Sequence, residues 1–309
     1  MTDLTQEPAF APVVSRAASV LETAGLSGSL LVRHLGTGHQ LAIDAERPFP
    51  LASLAKLPLV AAALDAGRRG ELDLAQQVTL DHRSRSRGGP GIARFTHPAT
   101  LALEDLARIS IEHSDSSAAD ALFRFVPPQS VTAWLRAAGI RGVVIRHPIE
   151  DLHVSLAAQA RSSDAAAVHS LVISADQLGH PSPLPQLDVE LANSGTAHGL
   201  ADLIQRLWDG SIDDDVAAAV RHMMAGNLLR HRLSPDFASD AASWSSKTGS
   251  FLHLRHEAGV VEHVDGETLI VVALTRSRIP ATIQPAAEHA MGQAARLLHD
   301  ELLAWCADQ

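Results

Sequence analysis

Extended segments lie near the two ends of this 309-residue chain, and a long helical stretch separates them. Ser29–His34 and Gln40–Ala45 read as strands, and Gly36-Thr37-Gly38 between them reads as a hairpin turn. Trp244–Lys247, Leu252–Glu262 and Glu267–Thr275 are three further strand candidates in succession. Apolar periodicity predicts a helix before the first pair, at Pro12–Ala24, and a long one after the last strand, from about Pro285 to Cys306. The expectation is therefore an α+β fold. Residues 1–51 and 231–309 would supply one antiparallel sheet flanked by terminal helices, and residues 52–230 an all-helical lobe. A ligand site would fall in the cleft between the two.

Within the middle stretch, Ser53–Arg68 is rich in Ala and Leu, the signature of a buried helix. Leu101–His113, Ser116–Phe125 and Gln129–Ala138 read as three helices broken at turn residues. Gly142–Ile145 is a short strand candidate, and Ser162–Gln177, Gly199–Asp209 and Asp213–Leu229 are helical again. Residues 83–91 form a loop whose alternating arginines read as a solvated face.

Lysine is almost absent. Of 25 basic residues only Lys56 and Lys247 are lysines. Arg does not lose its proton in a protein, whereas a buried Lys can be driven towards neutrality and serve as a base. Lys56 follows Ser53 by three residues at the start of a predicted helix, which sets the two side chains on one face within reach. A serine hydroxyl needs such a base to become a nucleophile. The helix start adds unpaired N–H groups and positive partial charge beside it. Taken alone, the pair also reads as a capping serine with a snorkelling lysine. Ser114-Asp115-Ser116 stands at a break between two helices, where Asp also makes an ordinary N-cap. Lys247-Thr248-Gly249-Ser250 ends a strand, and Gly249 lets a ligand backbone lie against it.

The order S-x-x-K, S-D-x, K-T-G resembles that of the class A β-lactamase and penicillin-binding superfamily of serine acyl-enzyme hydrolases. The similarity extends to Gly88-Gly89-Pro90-Gly91-Ile92, Arg108-Ile109-Ser110, the run Asn227–Leu233 and Arg255–Val261, and so spans nearly the whole chain. It implies a β-lactamase/transpeptidase-like fold and an acyl-enzyme route in which Ser53 attacks an amide, lactam or ester carbonyl. In the roles it implies, Ser53, Lys56, Ser114 and Lys247 are catalytic, with Ser114 relaying a proton to the leaving group. Ser116, Thr248, Gly249 and Ser250 bind substrate, and the N–H groups of Ser53 and Ser250 form the oxyanion hole. Two departures stand out. The second motif ends in Ser116 where the family usually has Asn. Class A enzymes also use a loop glutamate with a nearby Asn to activate the deacylating water. The glutamates between the second and third motifs are Glu150, with Val154 where Asn would help, and Glu190, which precedes Asn193. They are the candidate deacylation carboxylates, and without one of them deacylation would be slow or fall to Lys56.

Composition removes other classes. A net charge of −10 and a pI near 5.9 argue against a nucleic-acid or anionic-membrane surface. No apolar run reaches a membrane span. A single cysteine and no signal-like segment after Met1 give a cytoplasmic expectation, or a secreted one if the N-terminus is truncated. His253-x-x-His256 falls on a predicted strand, where that spacing sends the two rings to opposite faces, so neither a metal nor any other cofactor is expected. Trp134, Trp208, Trp244 and Trp305 are expected as packing residues, with a place at the border of the cleft as the alternative for Trp244. The partner expected is a small molecule carrying an anionic group. The leading expectation is a serine hydrolase of class A type. The alternatives are an intracellular esterase, peptidase or acyltransferase, or a β-lactam-binding protein that is acylated without efficient turnover.

Overall fold

The computed structural model describes residues 1–86, 89–160, 165–281 and 283–308. The expected helix start at residues 162–164 and part of the arginine loop, residues 87 and 88, lie outside them. The chain begins β1 (Thr2–Asp3), α1 (Ala11–Thr23), β2 (Leu26–His34), β3 (His39–Ile43) and β4 (Phe49–Pro50). A 3-10 turn, Ala52–Ala55, leads into α2 (Lys56–Arg68), followed by β5 (Gln77–Leu80) and β6 (Ala99–Ala102). Then come α3 (Leu103–Glu112), α4 (Ser116–Phe123), α5 (Pro128–Ala137), β7 (Val143–Val144), α6 (Glu150–Ala160) and α7 (Ala165–Leu178). The last third is β8 (Ser194–Gly195), α8 (Ala197–Trp208), α9 (Asp214–Ala225), α10 (Ser234–Phe237), β9 (Ala242–Phe251), β10 (Leu254–His263), β11 (Thr268–Ser277) and α11 (Pro285–Ala307).

The main sheet runs β1-β3-β2-β11-β10-β9. It is antiparallel except for the two-residue β1, which pairs parallel to β3. Its central strands are buried on both faces, so they read as continuous apolar runs rather than alternating ones. The period of two still sorts their side chains. Ile270, Val272 and Leu274 join a core with the helical middle, while Leu269, Val271 and Ala273 pack against α1, α10 and α11. β9 is the edge strand, and the 3-10 turn and α9 pack beside it.

Several elements depart from expectation. β7 falls inside the expected strand Gly142–Ile145, but the β5–β6 ribbon and the pairing of β7 with β8 and β4 were not foreseen, because strands of two to four residues give too short a pattern. α6 was missed because it buries only Leu152 and so carries no apolar stripe. Trp244 is the packing residue expected rather than one bordering a cleft. It faces the terminal helices, stacks on Phe237 at 5.2 Å and donates from Nε1 to Glu257.

Candidate functional site

Ser53 sits on the 3-10 turn, one turn before α2 begins at Lys56. The segment before it is pinned from two sides. His256 Nδ1 accepts from the Thr275 N–H at 3.0 Å, so Nε2 carries the proton and donates to the Pro50 carbonyl at 2.9 Å. The Leu51 N–H donates to Asn193 O at 2.7 Å. Burial holds His256 neutral, with its pKa pushed down to about 3. Ala52 takes φ = +48°, a left-handed conformation that a residue with a Cβ adopts only at a cost of about 1–3 kcal/mol. Ser53 is half-buried, and its Oγ makes no hydrogen bond among the described residues.

Lys56 is fully buried. Its Nζ donates to the Ser114 carbonyl at 2.5 Å, to Ser116 Oγ at 3.2 Å and, at the limit, to Ser114 Oγ at 3.5 Å. Burial drives its pKa from 10.5 down to about 8, against the pull of the Asp120 and Asp115 carboxylates. Ser114, at φ = +56°, is a second strained position. Asp115 serves two backbones. It caps α4 by accepting from Ala118 N at 2.9 Å, and Oδ2 accepts from Ile92 N at 2.7 Å. Gly91 lies so near Oδ2 that a Cβ there would overlap it, which explains a glycine at φ = +78°.

Lys247, also fully buried, donates to Ser114 Oγ at 3.0 Å and to the Thr248 carbonyl at 2.9 Å. Its pKa lies well below the usual range, first through burial and then through the neighbouring Lys56 and Arg232 charges, with Glu257 opposing. The two-residue turn at Leu252-His253 makes Phe251–Leu254 the closing bonded pair of the β9–β10 ladder. Bonded pairs alternate, so Lys247 and Gly249 turn their N–H groups to β10, and Thr248 and Ser250 keep theirs on the free edge. Gly249 faces Leu51, whose carbonyl oxygen would stand 2.7 Å from a Cβ. This glycine lets the turn carrying Ser53 lie against the strand.

The structure thus brings Lys56, Ser114, Ser116 and Lys247 into one hydrogen-bonded cluster, with Thr248, Gly249 and Ser250 on the adjoining edge. Among the described residues neither candidate glutamate side chain hydrogen-bonds this cluster. Glu150 opens α6, half-buried, and raises the pKa of Asp120. Glu190 is exposed on a turn. Asn193 is occupied elsewhere: Oδ1 accepts from the N–H groups of Arg146 and His147, and Nδ2 donates to His147 O.

Sequence reasoning missed three residues here. Asp120 accepts from Ile149 N at 2.6 Å and from Ser86 Oγ, and burial raises its pKa to about 6. Buried Arg232 donates to Ser250 Oγ at 2.6 Å, to the carbonyls of Gly249 and His256 at 3.1 and 2.8 Å, and to Glu288 at 3.3 Å. His153, on α6, feels the Lys56 charge. The available signal for Asp120 was an acid inside an Ala- and Leu-rich helix. His253 lies in the β9–β10 turn, not on a strand, so the spacing argument applied to it fails. Among the described residues, no group of three or more His, Cys, Asp or Glu is placed to hold a metal ion, and no helix is long and apolar enough to cross a membrane.

The chain is 47% identical over 298 residues to the β-lactamase regulatory protein BlaB of Streptomyces cacaoi, covering 92% of this chain and 96% of that protein. A β-lactamase of Streptomyces fradiae is 36% identical over 109 residues, 34% of this chain and 35% of that one. Among solved structures, the β-lactamase of Sphaerobacter thermophilus superposes with a TM-score of 0.76 at 22% identity, covering 96% and 98% of the two chains. PBP-A superposes at 0.75 with 16% identity and 98% coverage of both. These likenesses establish a class A β-lactamase and penicillin-binding fold. A sequence model of the β-lactamase enzyme family matches residues 12–302, and the chain belongs to that family.

Proposed function

We propose that the chain is a serine hydrolase of class A β-lactamase type, in which Ser53 forms an acyl-enzyme with a β-lactam or related amide or ester bearing an anionic group. The observation that carries this reading is the link Lys56–Ser114–Lys247. The only two lysines of the chain, both fully buried, share the Ser114 hydroxyl, and Lys56 follows Ser53 by one turn. On this reading the substrate lies in a cleft between residues 1–51 plus 231–309 and residues 52–230. Its anionic group meets Thr248 and Ser250, with Arg232 behind them. Ser53 Oγ attacks the carbonyl carbon and gives its proton to neutral Lys56, whose pKa near 8 leaves part of it unprotonated at neutral pH. The free-edge N–H of Ser250 and the N–H of Ser53 receive the oxyanion. Ser114 hands a proton to the leaving nitrogen or oxygen and is recharged through the two amines.

A second reading is favoured by the printed name of the 47% identical relative, a β-lactamase regulatory protein. Here Ser53 is acylated and keeps the acyl group, and the adduct is the signal. Intact mass after mixing with a β-lactam, followed over time, tests both. A transient adduct with turnover supports the hydrolase, and a lasting adduct the sensor. No adduct, with ester cleavage lost in Ser53→Ala, favours an esterase; an adduct that survives Ser53→Ala, or neither adduct nor Ser53-dependent ester cleavage, sinks the acyl-Ser53 proposal.

A further inference from the structure

We infer that His153, rather than a carboxylate, activates the water that releases the acyl group from Ser53; this rests on the acyl-enzyme reading above. His153 lies one turn into α6, half-buried. Its side chain lines a cavity of about 430 Å³ together with Ser250 and Phe251 at the end of β9, Leu156, His169 and Arg232. The ring stands edge-on to Phe251, with centroids 6.3 Å apart and planes at 85°, which fixes its plane. Neither ring nitrogen hydrogen-bonds another described residue, so both are open to a ligand or water. Through Ser250 the cavity therefore reaches the strand edge proposed to hold the acyl carbonyl, and the ring is near enough to Lys56 to feel its charge.

Charge keeps the ring in the form a base needs. Burial and then the Lys56 ammonium push its proton off. The other titratable and charged groups lining the cavity are His169, His231, Arg232, Arg255 and Glu288. Glu288 is engaged by Arg232, His231 and Arg255, so no free carboxylate faces the ring to hold a proton on it. Glu150, one turn earlier, does not line the cavity and acts on Asp120.

The step balances without a co-reactant. A ring nitrogen takes one proton from water as the water oxygen bonds to the acyl carbon. The tetrahedral oxyanion is held by the N–H groups of Ser53 and Ser250. On collapse the bond from carbon to Ser53 Oγ breaks, the proton returns from the imidazolium to Oγ, and a carboxylic acid leaves.

The test follows the adduct of benzylpenicillin by intact mass on the full chain, His153→Gln and His153→Asn. The wild-type chain should gain and lose the adduct. Both variants should gain it at a similar rate, which also reports an intact cluster, and lose it about 100-fold more slowly. Wild-type loss should slow as pH falls through and below 6.5, and the variants should lack that dependence. Loss at the wild-type rate in both variants overturns the role of His153, as does a wild-type adduct that never resolves. Glu150→Gln trapping the adduct while His153→Gln does not also overturns it. No adduct on the wild-type chain overturns this inference and, where Ser53-dependent ester cleavage is also lacking, the acyl-enzyme reading with it.

Discussion

Replacing Lys56 by Met separates the cost of burying this amine from its use. Its pKa falls from 10.5 to about 8, chiefly through burial. At about 1.4 kcal/mol per pH unit, keeping the proton inside the fold costs roughly 3 kcal/mol below pH 8. Met occupies a similar volume without the charge. It also leaves the Ser114 carbonyl and the Ser116 hydroxyl without their donor, at about 1–2 kcal/mol. At pH 7, Lys56→Met should therefore be about 1–2 kcal/mol more stable than the wild type, although inactive on the proposed reading. Between pH 8 and 10.5 the unfolded chain holds a proton that the folded chain has released. Wild-type stability therefore climbs relative to the variant as pH rises through that window. The two stabilities should cross inside it. Urea unfolding followed by tryptophan fluorescence at pH 7 and pH 10 measures the difference. A variant less stable than the wild type by the same margin at both values refutes the burial cost assigned to Lys56.

Ser114→Ala removes the hydroxyl shared by the two amines. Acylation measured by rapid mixing should fall about 100-fold or more with the fold intact; a change under threefold counts against a proton relay. Gly249→Ala brings a Cβ against the Leu51 carbonyl. It should cost about 1–3 kcal/mol in denaturant unfolding and slow acylation, because the strand and the Ser53 turn must part. His256→Phe loses the bonds to Pro50 and Thr275, at about 1–3 kcal/mol at pH 7. In the wild type the unfolded chain takes up a proton between pH 6.5 and about 3 that folded His256 refuses, so stability falls as pH drops through that range. The variant should show a shallower acid slope in the same unfolding series; an identical slope contradicts a neutral His256.

Segments with a strong repeat were legible. The hairpin Leu26–His34 and His39–Ile43, the three long strands and α11 fall where apolar pattern and turn residues put them. Short pairings were not: β7 was legible as a strand, but its partner β8 and β4 beyond it are fixed by tertiary contacts rather than by their own residues. The cluster itself was legible because lysine is so rare here that position alone marked both copies. Arg232 and His153 were not. One is among 23 arginines and the other among 17 histidines, and only packing separates them from the rest.

The charge balance of the cluster explains why an anion is the partner expected. The Lys56 and Arg232 charges act on Lys247 in low-dielectric surroundings, and both amines lose pKa as a result of burial and, for Lys247, of these cationic neighbours. The nearby acids are already committed. Asp115 holds Ile92 and Ala118, Asp120 holds Ile149 and Ser86, and Glu257 receives Trp244, Ser246 and Leu233. An anionic group at the free edge by Thr248 and Ser250 would add the missing negative charge and favour the charged form of Lys247. Lys247 is the more strongly depressed of the two, so Lys56 becomes the more readily deprotonated amine only if that anion sits nearer Lys247 and restores its charge. On the proposed reading, substrate charge therefore assigns the roles, one amine as fixed cation and the other as base. A neutral ester should acylate Ser53 more slowly than its carboxylate-bearing counterpart, with the gap shrinking at high ionic strength. Equal rates for the two esters at low salt would show that the cluster does not read substrate charge.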